Sequence, residues 1–124
     1  MSKVINSIRF HKYDQYGNSI MIASGSMDSE QENYENLKEL AQKLDDKDFG
    51  TYLPIFNSTQ YNYSTIRFKK DNKTTKLIPR AKYDITYKIK TIMRDSKIYV
   101  NCFVTKIRMV EKPPVIDEGE LLKI

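Results

Sequence analysis

Aromatic and basic side chains alternate along strand-like sequence from Tyr61 to Arg108. The stretch opens with Tyr-Asn-Tyr-Ser-Thr-Ile-Arg-Phe-Lys-Lys, and residues 67–112 hold 14 Lys or Arg against four Asp or Glu. Cationic side chains neutralise backbone phosphates, and aromatic rings stack on bases that have no pairing partner. These residue types therefore predict a surface that fits an unpaired nucleic acid strand.

Two groups of side chains are the candidates for this chemistry. The cationic group, expected to follow the phosphates, is Arg67, Lys69, Lys70, Lys73, Lys76, Arg80, Lys88 and Lys90. The aromatic group, expected to stack on bases, is Tyr61, Tyr63 and Tyr99. Charged strand faces are often simply solvated, and aromatic residues favour strands in any case. The local density of charge favours nucleic-acid contact for the cationic group as a set, whereas stacking and strand preference explain Tyr61 and Tyr63 equally well.

Catalytic chemistry has few candidate residues. The chain has one histidine, His11, and one cysteine, Cys102, so a disulfide within the chain is excluded and a zinc site lacks ligands. No glycine-rich phosphate loop is present. Asp45, Asp46 and Asp48 offer paired carboxylates for a metal-dependent nuclease, but solvated capping of a helix end is the commoner role. The sequence predicts a protein that is not an enzyme and has no metal or cofactor.

Length and charge distribution define the class of protein. A chain of 124 residues forms one domain with a single core. Residues 28–48 hold eight acidic residues and three lysines, so acidic and basic segments are segregated. The excess of Lys over Arg, with many Ile, Asn and Tyr, indicates an AT-rich genome. No apolar run is long enough to span a bilayer and the N-terminus resembles no signal peptide, so a cytoplasmic location is expected.

The early elements are a hairpin and a helix. Alternation predicts a first strand with one apolar face (Val4, Ile8, Phe10) opposed by Arg9 and His11. A turn at residues 16–18 leads to a short strand at residues 19–24. A capping-box pattern at residues 29–32 predicts the helix start, and the expected buried face is Tyr34, Leu37, Leu40, Ala41 and Leu44. The favoured role of this helix is to cap the core; docking of a partner is the alternative.

Three strands follow an apolar connection that contains Pro54 and is a candidate edge strand. In the first, Ile66 and Phe68 face the core. The second places Tyr83, Ile85, Tyr87, Ile89 and Met93 on one face, so Tyr83 and Tyr87 are assigned to the core or its rim.

The last strand follows a hairpin loop at residues 94–97 and changes parity along its length. Ile98, Val100, Cys102 and Val104 share one face, but Ile107 and Met109 lie on the opposite parity. A parity change within an unbroken strand predicts a β-bulge, which bends the strand around a barrel. Cys102 is therefore expected to be buried and inert, Phe10, Phe68 and Phe103 are assigned to the core, and His11 to the surface. Together the elements predict an all-β, five-stranded barrel of the oligonucleotide-binding (OB) type, with one α-helix between early and late strands.

The segment from Lys82 to Val110, with Lys-Tyr-Asp-Ile-Thr-Tyr-Lys-Ile-Lys and Ile-Tyr-Val-Asn-Cys-Phe-Val-Thr-Lys-Ile, resembles the closing strands of small single-stranded DNA-binding proteins. Size, composition and acidic end are similar to those of proteins from bacteriophages of low-GC Gram-positive bacteria, lactococcal phages among them. The resemblance implies binding of single-stranded DNA without strong sequence preference, in support of replication or recombination. It also implies a homodimer in the host cytoplasm. The chain departs from many relatives in having no Trp, so Tyr and Phe must do the stacking.

Residues 113–124 form a separate tail after the domain of residues 1–112. Pro113 and Pro114 end the last strand, and the tail combines acidic and apolar residues (Asp117, Glu118, Glu120, Leu121, Leu122). A frayed or docked terminus is slightly favoured. The alternative is a peptide that recruits replication enzymes or competes with DNA for the basic surface.

Two other functions remain open from the sequence. A β-barrel adaptor would use the basic face to bind an acidic protein, and an RNA-binding barrel would use the same stacking chemistry.

Overall fold

A computed structural model describes residues 2–45 and 53–114. Across these residues the chain forms six strands and one α-helix, with a 3₁₀ turn at Asp28–Glu30 and another at Asn72–Thr74. The elements are β1 (Ser2–Tyr13), β2 (Ser19–Ser24), α1 (Gln31–Asp45), β3 (Ile55–Ser58), β4 (Tyr63–Phe68), β5 (Lys82–Arg94) and β6 (Lys97–Glu111). Residues 46–52 and the acidic tail of residues 115–124, with Asp117, Glu118, Glu120, Leu121 and Leu122, lie outside the described residues.

Five of the strands close into a barrel. β1 pairs with β2 and β5, β2 pairs with β4, and β5 pairs with β6, all antiparallel. A parallel contact closes the ring where Phe68 on β4 pairs with Cys102 on β6, and the Lys69 N–H donates to the Cys102 carbonyl at 2.9 Å. β3 is outside the ring and pairs with β4 as an added strand. The predicted five-stranded barrel with one helix between early and late strands is confirmed.

A bulge in β6 produces the parity change that the sequence predicts. Tyr87 pairs with Val104 and Thr86 pairs with Lys106, so Thr105 is the extra residue. Its hydroxyl donates to the Thr86 carbonyl at 3.1 Å. Because the bulge reverses the parity, apolar residues on either side of it turn towards the same core.

The prediction that Val4 faces the core is wrong, because β1 also contains a bulge. The register with β5 shifts between Ile5 and Ile8, where Ser7 adopts a φ of 54°. Ile5 is therefore buried, whereas Val4 is 63% exposed and does not share the face of Ile8. The Ser7 N–H, displaced from the ladder, donates to the Asp84 carboxylate at 2.9 Å.

The helix packs its apolar face against the barrel. Tyr34, Leu37 and Ala41 are buried in the same cluster as the inward side chains of the strands, as predicted, and Leu40 and Leu44 are partly buried against it. The helix start differs from the predicted capping box, because the 3₁₀ turn has no side-chain cap. The Glu30 carboxylate instead lies buried, where it accepts from the Arg9 guanidinium and from the Ser24 N–H.

The β5–β6 hairpin continues past the barrel. Its loop residues Asp95 and Ser96 both have positive φ, as a two-residue type I′ turn requires. Tyr83 and Tyr87 are buried as predicted, but Met93 on the same strand is 75% exposed because the strand has left the core by that point. In the part of the chain that the structure describes, no helix is both long and apolar enough to cross a membrane.

Candidate nucleic-acid interface

A cleft of about 700 Å³ lies between the β1–β2 turn, the end of β4 and the outer face of the β5–β6 hairpin. Four of the predicted contact residues line it: Arg67, Lys69, Lys70 and Tyr99. The other lining residues are Asp14, Tyr16, Asn18, Ile92, Arg94, Asn101 and Phe103. We refer to this feature as the basic cleft.

The floor of the basic cleft is formed where β4 meets β6. On β4, Ile66 and Phe68 are buried, so Arg67 between them is directed to the outer surface. On β6, Val100, Cys102 and Val104 are buried, which directs Asn101 and Phe103 to the same surface. Strand alternation directs these side chains outward, and the contact between β4 and β6 brings Arg67 beside Asn101 and Phe103, more than thirty positions away in the sequence.

Backbone and side-chain hydrogen bonds fix the β1–β2 turn at one side of the cleft. The Asp14 carboxylate accepts from the Tyr16 N–H, from the Asn18 N–H and from the Asn18 amide. The Asn18 side-chain oxygen in turn accepts from the Lys70 N–H at 2.9 Å. Burial opposes ionisation of Asp14, but the hydrogen bonds from Asn18 and Tyr16, together with the charge of Arg67, lower the pKa of this carboxyl below its ordinary value.

The β5–β6 hairpin forms the opposite side. Its outer face pairs Ile92 with Tyr99 and Lys90 with Asn101. The Lys90 ammonium lies 5.4 Å from the centroid of the Phe103 ring. The assignment of Phe103 to the core was wrong: its ring is half-buried on the outer surface, because it has the opposite parity to Cys102 and Val104.

The charge of the cleft is predominantly positive. Arg67, Lys69, Lys70 and Arg94 line it, and Asp14 is the one carboxylate among its described lining residues. That carboxylate is already engaged by the turn. Cations beside ring faces can hold a chain of phosphates while its bases contact the rings.

The structure places the other predicted residues outside the cleft lining. Lys88 and Lys90 are exposed on the outer face of β5, next to Phe103 and Asn101. The loop between β4 and β5 carries Lys73, Lys76 and Arg80, and it packs against β1 where the Tyr13 hydroxyl donates to the Thr74 carbonyl and accepts from the Leu77 N–H. The aromatic residues Tyr61 and Tyr63 lie on the β3–β4 hairpin, Tyr61 being 69% exposed in the turn.

Seven of the cleft's lining residues were not predicted from the sequence: Asp14, Tyr16, Asn18, Ile92, Arg94, Asn101 and Phe103. Tyr16 and Asn18 belong to the β1–β2 turn, where residue type is weakly constrained by the strand pattern, and Arg94 is the last residue of β5. A signal was available for Phe103, since its parity differs from that of its buried neighbours.

Cys102 and His11, two groups that could support catalysis, lie within the described residues. Burial raises the pKa of the Cys102 thiol to about 12, so it stays protonated. Partial burial, together with Lys12 and Arg9, lowers the pKa of His11 on the exposed side of β1. Within residues 2–45 and 53–114, no three His, Cys, Asp or Glu residues are grouped in a way that could hold a metal ion.

Comparisons with known proteins place the chain at low similarity. No protein-family model matches the sequence, and no curated protein matches it. Among solved structures, the chain is similar to the crystal structure of gp2.5, a single-stranded DNA-binding protein encoded by bacteriophage T7. The alignment covers 93% of each chain, with 11% sequence identity and a TM-score of 0.49.

Proposed function

We propose that this protein binds single-stranded DNA without sequence preference, through the basic cleft. The observation that carries the proposal is the convergence of Arg67, Lys69 and Lys70 with the rings of Tyr99 and Phe103 on one outer surface. Phosphates require the cations, and unpaired bases require the ring faces. A surface whose charges serve only solvation would not require cations and aromatic rings to lie together in a cleft.

The two sides of the cleft contact different parts of the DNA strand. Arg67, Lys69 and Lys70 at the end of β4 neutralise phosphates as the strand passes. Tyr99 and Phe103 on β6 stack on bases, each contact contributing about 1–3 kcal/mol. Because none of these groups reads the base edges, the binding tolerates any sequence.

The position of the cleft on the fold supports the same function. Barrels of the OB type bind oligonucleotides on the face of their second and third strands, between the loop joining strands one and two and the loop joining strands four and five. Because β3 lies outside the barrel, the second and third barrel strands of this chain are β2 and β4. The two corresponding loops are the β1–β2 turn and the loop of the β5–β6 hairpin. A shared fold supports the place of binding rather than the choice of ligand.

The biological role that we propose for such binding is support of DNA replication or recombination in a phage. A homodimer would lengthen the path of the strand.

The test is a binding panel with single-stranded DNA, duplex DNA and single-stranded RNA, each at two salt concentrations. Wild-type protein is expected to prefer single-stranded DNA and to lose affinity steeply with salt. The Lys69→Ala/Lys70→Ala variant should bind all DNA sequences more weakly. If both side chains contact phosphates, the slope of log K against the logarithm of the salt concentration should be less steep by about 1.4, at roughly 0.7 for each phosphate contact.

The matched control removes two lysines from the helix, Lys38→Ala/Lys43→Ala, and should bind as wild type does. Preference for RNA would favour an RNA-binding barrel. Absence of binding to all three nucleic acids would overturn the proposal and favour an adaptor for an acidic protein.

A further inference from the structure

A pair of aromatic rings lies on the outer face of β3 and β4, away from the basic cleft. The Phe56 ring is 58% exposed, and Tyr63 is half-buried beside it. Their centroids are 6.2 Å apart, and the ring planes meet at 52°. Phe56 is on the added strand β3, which is not needed to close the barrel.

Strand register places this pair on the same surface as the floor of the cleft. Tyr63, Thr65 and Arg67 alternate with the buried residues of β4, so all three are directed outward. Phe56 pairs with Thr65 across the β3–β4 ladder. At about 3.3 Å per strand residue, the backbone of Tyr63 lies roughly 13 Å from that of Arg67.

The surface between the rings and the cleft has little charge. β2 contributes Ile20, Ile22 and Ser24, which pair with Arg67, Thr65 and Tyr63 respectively and are half-exposed. Among these outward residues of β2, β3 and β4, Arg67 carries the one charge. Such a surface suits the faces of bases better than it suits phosphates.

We infer that Phe56 and Tyr63 form a second stacking platform, which takes bases of the same DNA strand after it leaves the basic cleft. The inference rests on the proposed function, because the strand must first occupy the cleft. Arg67 belongs to both surfaces and would hold a phosphate between the two sets of stacked bases. The distance from Arg67 to Tyr63 corresponds to about four nucleotides at the 3.4 Å spacing of one strand in a duplex, and to fewer in a stretched strand.

DNA is the occupant that the observations favour over a protein. The patch continues the cleft surface without an intervening carboxylate, through strands that are hydrogen-bonded to each other. The exposed apolar group is also small, with one ring more than half exposed, whereas stable protein interfaces bury about 800 Å² on each partner.

The experiment measures affinity for oligothymidylates of increasing length with four variants. Phe56→Ala and Phe56→Leu remove the ring, Phe56→Tyr keeps it, and Val4→Ala is a control at an exposed apolar residue beside the helix. We expect all four to match wild type on oligonucleotides that fill only the cleft. On longer ones, Phe56→Ala and Phe56→Leu should bind about 5- to 150-fold more weakly, as expected for one lost stacking contact. Phe56→Tyr and Val4→Ala should keep wild-type affinity at every length.

Three outcomes would overturn the inference. In the first, Phe56→Ala binds oligonucleotides of every length as wild type does, while the Lys69→Ala/Lys70→Ala variant binds more weakly. This result would leave the cleft as the binding site and remove the second platform. Loss of self-association in Phe56→Ala, measured by sedimentation, without any change in DNA affinity would assign the patch to a protein contact. Failure of the wild-type protein to bind any oligonucleotide would overturn both the platform and the proposed function.

Discussion

The side-chain oxygen of Asn18 accepts a hydrogen bond of 2.9 Å from the backbone N–H of Lys70. This contact joins the β1–β2 turn to the segment that leaves β4, and both lie at the basic cleft. Asn18 is itself held by Asp14, so the turn and the lysine-bearing segment form one unit. The geometry of the cleft therefore depends on a buried amide that contributes no charge.

We expect Asn18→Ala to weaken both the fold and DNA binding. The change removes the acceptor for the Lys70 N–H, and an unpaired buried polar group costs about 1–3 kcal/mol. Denaturant unfolding should show this loss, and affinity for single-stranded DNA should fall because Lys69 and Lys70 are less well fixed. The exposed Asn72→Ala is the matched control; equal effects from both would contradict the role of Asn18.

Removal of the Tyr99 ring should lower DNA affinity and leave the fold intact. Tyr99→Ala is expected to cost about 1–3 kcal/mol of binding free energy for any sequence, as one stacking contact does. Met93→Ala, on the same hairpin and 75% exposed, tests whether shortening any apolar side chain there has this effect. Quenching of tyrosine fluorescence by DNA provides the measurement. A larger loss for Met93→Ala would place the DNA on the other face of the hairpin.

The ion pair of Arg9 with Glu30 should behave as one energetic unit. Glu30 is 2% exposed, and its carboxylate accepts from the Arg9 Nε at 2.9 Å and from the Ser24 N–H at 2.8 Å. Glu30→Ala is expected to destabilise the fold by about 1–3 kcal/mol, since it leaves the partly buried Arg9 guanidinium and Ser24 N–H without their acceptor. In a double-mutant cycle, adding Arg9→Ala should cost much less than it does alone. Strict additivity of the two losses would show that the pair is not coupled.

Stability should decline on the acid side, in part through Asp84. The hydrogen bond from the Ser7 N–H, followed by that from Arg108, lowers the pKa of this carboxyl below its ordinary value of 3.8. A folded-state pKa below the unfolded one stabilises the fold above the unfolded value, and this stabilisation is lost as the pH falls through the folded pKa. Asp84→Asn should therefore flatten the decline, measured as unfolding free energy between pH 7 and pH 2. The same decline in the variant as in wild type would contradict the assignment.

Cys102 should resist alkylation as long as the barrel is closed. Burial raises the pKa of its thiol to about 12, and the reactive thiolate is then scarce at pH 8. Labelling by iodoacetamide is expected to follow global unfolding, with a rate that rises through the denaturant transition. Rapid labelling of the native protein would mean that the contact between β4 and β6 opens locally.

Much of the fold was predictable because the spacing of apolar residues along a strand indicates which side chains are buried. The parity change between Val104 and Ile107 predicted the bulge that the structure has at Thr105. The bulge in β1 had no such signal, since Val4 and Ile5 are both apolar and the displaced N–H is satisfied by Asp84, far away in the sequence. The hydrogen bond between Ser7 and Asp84 cannot be predicted from periodicity, because it forms only when β1 and β5 are neighbours in the sheet.

The sequence by itself predicted cationic and aromatic side chains on the late strands, and four of them, Arg67, Lys69, Lys70 and Tyr99, line the basic cleft. Alternation alone directs Arg67 and Lys69 outward, and the charge count places the basic segment at residues 67–112. Only the tertiary structure decided which of these residues share a surface. Barrel closure through Phe68 and Cys102 brings β4 beside β6, which joins Arg67 to Tyr99 and Phe103 and leaves Lys73, Lys76 and Arg80 in a separate loop. Alternation fixes the face of each strand, but the order of strands in the sheet depends on contacts between distant parts of the chain.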